Sequence, residues 1–334
     1  MMEEPLVSVI VIIYNGMKDI DRCLTSVLRT QYDNLEVIAV DNASVDGSAD
    51  HVRRTFPAVK VVETGENLGY AGGINAGVRR ASGEYVAPLN MDVEVDRNWL
   101  KPMLEFLGDN PSVGAVTPKI LLDWDRGRVN TMGGNIHVTG LSFCRNRDRL
   151  SADVSNLPEK VPGISGASYM IKKDVLLQAG AAPAECFMGN DDVVLSWTLN
   201  LMGYEQYCIP QSVVYHDYHL ALPPEKYFIL ERNRLSMLLS CLRIGTILIG
   251  LPLWALSEVA ILGYSLLKGK AFLLAKLRAY AALWQDRSSV RAKRRQIQKI
   301  RRISDWELFG RLNMNLDWEQ LLGLLSRDPR AMEG

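Results

Sequence analysis

Val7-Ser8-Val9-Ile10-Val11-Ile12-Ile13 runs straight into Tyr14-Asn15. Six β-branched residues and one serine, with no polar alternation, describe a strand buried on both faces, as in a parallel sheet. A second strand of the same kind, Leu35 to Val40, ends at Asp41-Asn42. Between them, roughly Met17 to Arg29, the apolar residues Ile20, Leu24, Val27 and Leu28 are spaced for a helix. The alternation continues. A helix is expected from about Asp46 to Thr55 and a strand over Ala58 to Val62. A glycine-rich turn then leads to a helix near Ala71 to Arg80 and a strand from Tyr85 to Leu89. This spacing predicts an α/β fold, a Rossmann-like, mostly parallel sheet with flanking helices. Ligands of such sheets bind at the carboxyl ends of strands. Tyr14-Asn15, Asp41-Asn42 and Asn90-Met91-Asp92 all fall there.

Beyond about Asp109 short strands alternate with loops, Gly133-Gly134 and Gly140 suggesting a hairpin and Ser165 to Ile171 a short strand. Asp191 to Met202 is spaced as a helix. The 334 residues, nearly half of them hydrophobic, suffice for a large core and exclude wholesale disorder. With 38 basic and 38 acidic side chains there is no global charge case for nucleic acid, and no nucleic-acid partner is expected. Five cysteines, an odd number without a CxxC pair, point to a reducing compartment rather than a disulfide framework. Met1-Met2-Glu3-Glu4-Pro5 has neither a basic n-region nor an apolar h-region, so no signal peptide is expected.

Four clusters carry candidate chemistry. An acid at a strand end, Asp41, followed by Asn42-Ala43-Ser44 and Asp46-Gly47-Ser48, can accept from a nucleoside base or ribose; Ser44 or Asp46 serves equally as a helix N-cap. Glu66-Asn67-Leu68-Gly69-Tyr70-Ala71-Gly72-Gly73-Ile74-Asn75-Ala76-Gly77 offers N–H groups at a helix start to an anion, or simply close helix packing. Asp92 is a candidate ligand for Mn2+ or Mg2+ on a diphosphate, or a solvated loop acid. Asn190-Asp191-Asp192 at a helix start complements the helix dipole, or supplies a general base. Side chains at successive helix positions diverge by about 100°, so one acid of the pair would serve. His216, after the apolar pair Val213-Val214, is a further candidate metal ligand or phosphate contact.

Taken in order, Val-Ile-Val-Ile-Ile-Tyr14-Asn15, Asp41-Asn42-Ala43-Ser44-x-Asp46-Gly47-Ser48, Glu66 to Gly77 and Leu89-Asn90-x-Asp92 resemble the family-2 glycosyltransferases, and within them a rhamnosyltransferase-like branch of bacterial and archaeal surface-polysaccharide enzymes. The likeness continues through Gly114-Ala115-Val116, Pro118-Lys119, Ser165-Gly166-Ala167 and Asn190-Asp191-Asp192 to His216 and Glu231-Arg232-Asn233-Arg234. It implies a GT-A fold and an inverting transfer from a nucleoside-diphosphate-sugar donor to a glycan or lipid-linked acceptor. Asp41 would meet the donor base, with Tyr14, Asn15, Asn67, Gly72, Asn75 and Asn90 lining the donor site. Asp92, joined by His216, would hold a divalent cation, Mn2+ or Mg2+. Asp192, or its neighbour Asp191, would be the base. Two positions depart from the pattern: Asn90 stands where a first acid is usual, and Val194 and Thr198 stand where the acid-pair helix usually carries a further acid and an arginine.

After Pro223 the character changes. Ile244 to Leu267 is apolar apart from Glu258, and Pro252 interrupts it. Between Lys268 and Arg302 the one acid among many basic residues is Asp286. That length can cross a bilayer, while Pro252 and Glu258 favour an interfacial helix or a buried one. The expected organisation is a GT-A domain over 1–222 and a helical, membrane-associated region over 223–334, on the cytoplasmic face of the cell membrane. Two competing functions are a nucleotidyltransferase, against which the absence of a basic glycine-rich loop after the first strand counts, and a non-catalytic sugar-nucleotide-binding membrane subunit.

Overall fold

A computed structural model describes residues 4–218 and 222–325. The chain divides into two compact units. The first comprises residues 4–134, 144–196 and 204–218; the second comprises 135–143, 197–203 and 222–325.

In chain order the strands are β1 (Val7–Ile13), β2 (Leu35–Asp41), β3 (Lys60–Glu63), β4 (Tyr85–Asn90), β5 (Val93–Val95), β6 (Val113–Leu122), β7 (Val129–Thr131), β8 (Gly134–Ile136), β9 (Ser142–Cys144), β10 (Glu159–Lys160), β11 (Met170–Lys172) and β12 (Glu205–His216). The helices threaded among them are α1 (Ile20–Leu28), α2 (Ser48–Thr55), α3 (Gly69–Val78), α4 (Leu100–Asp109), α5 (Lys173–Gln178) and α6 (Asp191–Leu201). The first unit is built on a sheet of order β10-β12-β6-β11-β4-β1-β2-β3. Pairings β1–β2, β1–β4, β2–β3 and β6–β12 are parallel, and β11 enters antiparallel between β4 and β6. This is the mostly parallel, GT-A-like sheet expected from the sequence.

Every residue of β1 is buried, as its unbroken apolar run requires. On α1, Ile20, Cys23, Leu24 and Val27 recur at helical spacing and are buried into the same core. On α3, the small residues let the helix approach the sheet closely: a Cβ at Gly77 would lie 2.4 Å from Ile10 Cγ2. The expected strand Ser165 to Ile171 is shorter, because Ser165–Tyr169 turn before β11 and only Met170–Lys172 pair in the ladder. Gly140 turns between β8 and β9, which form a two-stranded sheet.

The second unit is helical: α7 (Pro224–Cys241), α8 (Ile244–Lys268), α9 (Lys270–Gln285), α10 (Arg287–Ile300), α11 (Asp305–Phe309) and α12 (Trp318–Leu325). Its interior holds charges. Glu231 and Arg234 on α7, Glu258 on α8 and Lys276 on α9 pair with one another. Ser304 and Glu307 make a reciprocal capping box at the start of α11.

Candidate active site

The loops after β1 and β2 are laced together by short polar side chains. Ser44 Oγ accepts from Asn15 N–H at 3.0 Å, and Asn15 Oδ1 accepts from Val45 N–H at 3.0 Å. Asp46 accepts from the backbone N–H groups of Met17 and Ser48, each at 3.0 Å. Ser44 and Asp46 thus bind one loop to the other, and the residue before α2 is Gly47, which offers no side-chain cap. Asp41, at the carboxyl end of β2, is 3 % exposed. Its Oδ2 accepts from Ser44 N–H at 3.2 Å, and its Oδ1 is buried with no partner. A buried carboxylate oxygen without a donor is costly, and a base N–H or ribose hydroxyl would satisfy it. Tyr14, 46 % exposed, follows Ile13, which is the ladder partner of Asp41.

Asn42 organises the glycine loop. Its amide donates to Asn67 Oδ1 at 3.1 Å and to Gly69 O at 3.0 Å, and its Oδ1 accepts from Leu68 N–H at 3.0 Å. Asn67 Oδ1 also accepts from Gly69 N–H at 2.9 Å. Asn75 faces another way: it exchanges both amide bonds with the Ala182 peptide, at 2.8 and 2.9 Å. Gly72 packs against Leu68. The start of α3 is covered by the segment leading to α6, since Tyr70 N–H donates to Phe187 O at 2.7 Å.

Asp92 follows β4. Its Oδ1 is buried without a hydrogen bond and lies 3.4 Å from His216 Nε2. Burial would raise this carboxyl; His216, the Asp92 N–H and the Asn90 amide outweigh it and hold the group below its ordinary value. His216, at the end of β12, is buried, and its Nδ1 lies 3.2 Å from Asn130 Oδ1. With Nδ1–H donating to Asn130, the ring would be able to offer its Nε2 lone pair to a cation bound beside Asp92. Two acceptors so placed fit a cation, and a ring oriented from behind by an amide oxygen is how ligating histidines are held. Among the described residues no three His, Cys, Asp or Glu side chains cluster as a complete metal cage. A donor set of one carboxylate and one imidazole suits Mg2+ or Mn2+ only with phosphate oxygens and water completing it.

Asp191 and Asp192 open α6. Asp192 Oδ2 accepts from Gly166 N–H and Oδ1 from Val193 N–H, both at 2.8 Å. Burial and the Asp192 charge push Asp191 up to about 7. Burial also raises Asp192, against the pull of its N–H donors. Val194 and Thr198, further along α6, are buried.

Tyr70 ties these groups together. Its phenol donates to Gly166 O at 2.8 Å, so the glycine whose N–H orients Asp192 is also held through its carbonyl. Burial, and then the charges of Asp191, Asp92 and Asp192 among others, push Tyr70 well above its ordinary range. Tyr169 is raised by burial and by the same acid pair. Tyr218 packs 5.4 Å from the His216 ring and also feels Asp192. Asn130 and Tyr169 were not named from sequence, and Tyr70 and Gly166 stood in motif stretches without a role of their own. Tyr70 had a signal, an aromatic inside a glycine-rich helix start; the others meet the acids only through the fold.

A GT-A-like sheet with acids at its strand ends and an acid pair on a neighbouring helix is the architecture of glycosyltransferases. The chain belongs to glycosyl transferase family 2, whose family model matches residues 8–178. That span includes Asp41 and Asp92 and ends before α6. The chain is 30 % identical over 201 residues to a poly-beta-1,6-N-acetyl-D-glucosamine synthase of Staphylococcus aureus, covering 57 % of this chain and 45 % of that protein. It therefore spans less than half the length of that relative. In fold it is similar to GalNAc-T7, solved with UDP, GalNAc and Mn2+ (TM-score 0.60, 16 % identity, 72 % of this chain and 48 % of that one). It is also similar to the mannosyltransferase PcManGT of Pyrobaculum calidifontis, solved with GDP-Man and Mn2+ (TM-score 0.52, 23 % identity, 89 % and 87 %).

Proposed function

We propose that the chain is an inverting glycosyltransferase. It moves a hexosyl or deoxyhexosyl group from a nucleoside-diphosphate-sugar to a hydroxyl of a glycan or lipid-linked acceptor, in cell-surface polysaccharide or glycolipid synthesis. The observation that carries this reading is the Asp192 carboxylate held at 2.8 Å by the Gly166 N–H, with Asp92 3.4 Å from His216 at the end of the sheet. A rhamnosyltransferase-like donor, deoxythymidine-diphosphate-rhamnose, and a uridine-diphosphate-sugar both suit Asp41, whose free Oδ1 would accept from either base. Residues 1–222 would carry transfer, and 223–334 would attach the enzyme to the cytoplasmic face of the membrane.

In the reaction, the acceptor oxygen attacks the anomeric carbon from the face opposite the diphosphate. The new C–O bond forms as the bond to the diphosphate breaks, inverting the centre without a sugar–enzyme intermediate. Asp192, oriented by Gly166 N–H and made more basic by burial, takes the acceptor proton. Asp92 and His216 would hold the divalent cation, which when bound neutralises diphosphate charge. Asn90, and the glycine loop that Asn42 braces through Asn67, Leu68 and Gly69, would hold the donor side in shape.

The test is calorimetric titration of the purified chain, with Mn2+ or Mg2+, against nucleoside diphosphates and nucleotide-sugars. Metal-dependent binding of one nucleotide, weakened on the order of tenfold or more in Asp92→Ala, is the expected result. A folded chain that binds none of them would overturn the assignment of Asp41 and Asp92.

A further inference from the structure

Among the described residues α8 is the one helix long and apolar enough to cross a bilayer. Its composition is apolar apart from Glu258 and a few small polar residues, and the folded unit makes its sides unequal. Trp254, Glu258, Ile261 and Ser265 form a half-buried to buried stripe, while Leu248, Leu256, Val259 and Leu267 stand 65 to 75 % exposed.

The inner stripe is fastened to α7 and α9. Glu258 pairs with Arg234 and, at 2.7 Å, with Lys276, and accepts from the Tyr280 hydroxyl at 2.6 Å. Ser265 and Tyr227 share a hydrogen bond of 2.7 Å. The helices thus fastened carry water-facing charge, including exposed Lys270 and the exposed Arg278–Glu225 pair at 2.6 Å. A spanning α8 would draw these groups into hydrocarbon, where charge is strongly disfavoured. Pro252 adds a second objection. It has no N–H, so the Leu248 carbonyl lacks its helical donor, and both residues lie on the exposed side. In the bilayer core that carbonyl would go unpartnered; at headgroup depth water serves it.

The surroundings fit a lipid surface. On α9, Leu274, Leu277 and Trp284 are exposed along one side, and tryptophan favours the membrane–water boundary. On α10, Arg287, Arg291, Arg295 and Lys299 recur every fourth residue and are all exposed. A basic face of this kind is drawn to anionic headgroups.

We propose that α8 lies in the plane of an anionic membrane, its outer apolar stripe sunk into the headgroup–acyl boundary, and does not cross the bilayer. This rests on the membrane attachment stated above and fixes its geometry. The folded unit supplies the polar side of the helix, so a mostly apolar segment behaves as an amphipathic one.

The experiment uses the full chain with phosphatidylcholine vesicles, with and without one-third phosphatidylglycerol, in a flotation assay. Binding to the anionic vesicles, weakened by rising salt, is expected. The combined Leu248→Glu, Leu256→Glu and Val259→Glu variant should partition on the order of 100-fold less well while still binding donor nucleotide. A single-site thiol-labelling assay then reads topology. With Arg243→Cys or Lys270→Cys, exposed positions just outside either end of α8, an impermeant thiol reagent should reach both positions in inside-out membranes of the expression host and neither in right-side-out ones. One end labelled from each side would make α8 a span and overturn the proposal. Failure of the unaltered chain to float would overturn it together with the membrane reading. A detergent-free dimer that the glutamates dissociate, without vesicle binding, would assign the face to a second copy instead. Donor binding, measured alongside, keeps all of these outcomes separate from the fate of the transferase reading.

Discussion

In the first unit three carboxylates, Asp92, Asp191 and Asp192, all act on the half-buried Tyr70 phenol, with one histidine, His216, beside Asp92. In the second, Glu231 and Glu258 face Arg234 and Lys276, two acids against two bases, with Tyr280 completing the set. Burial pushes the carboxyls of both clusters upward. In the first it prevails at Asp191, which rises to about 7. In the second the guanidinium and ammonium groups prevail, holding Glu231 below its ordinary value and bringing Glu258 to about 2. Charge that is buried and left unbalanced is a sign of chemistry; charge that is buried and balanced joins helices, and removing one member strands the others.

The sharpest way to break this contrast is Asp192→Asn. Turnover of donor should fall a hundred- to ten-thousand-fold with donor affinity held within a few-fold, read by product formation beside calorimetry. Unchanged turnover would move the base to Asp191 or elsewhere. Arg234→Leu should do the reverse. It leaves two buried carboxylates to share the single Lys276 ammonium and costs about 3–5 kcal/mol of stability, visible as a lower melting temperature, while the folded fraction keeps its donor affinity.

Asp191→Asn sharpens the contrast through pH. The native Asp191 carboxyl titrates near 7, well above its unfolded value of about 3.9. Stability linked to its proton is therefore intact below about pH 4 and is lost as pH rises toward 7. The asparagine variant escapes that loss. Its melting temperature relative to the unaltered chain should climb between about pH 4 and 7 and level off above, and a pH-independent difference would contradict the raised carboxyl. The smallest effect belongs to Tyr70→Phe, which removes one hydrogen bond to Gly166 worth about 1 kcal/mol. It should lower kcat several-fold and leave KM unmoved, since it loosens the base rather than the donor. An equal change in both would assign Tyr70 to donor binding.

The parallel half of the sheet was legible because β1 and β2 are uninterrupted apolar runs, and α1 because Ile20, Leu24 and Val27 repeat at helical spacing. By contrast, β6 hides behind Gly114, Pro118 and Lys119, although all ten of its residues are buried. At the site, acids at strand ends and at a helix start could be picked out by position. Their arrangement could not, since Asp192 is held by Gly166 N–H and Asp92 stands beside His216 only once the chain has folded. The glycine loop shows the other limit. Its composition suits an anion cradle and close packing alike; only coordinates reveal that Asn75 is spent on Ala182 and that Asn42 holds the loop's shape. Glu231 and Arg234 stood in a motif without a role, and Glu258 stood as an objection to a membrane span. Their partnership with Lys276, remote in sequence, explains both.

Phe187, held at φ +58°, presses its carbonyl onto Gly69, where an added Cβ would lie 2.1 Å from that oxygen. A side chain at position 69 would therefore displace the segment that delivers α6, although the position itself lies in the glycine loop. In a random mutagenesis screen, Gly69 variants would score as chemically dead enzymes and be mistaken for lesions of the acid pair. Only a donor-binding count would reveal that the injury began one layer away.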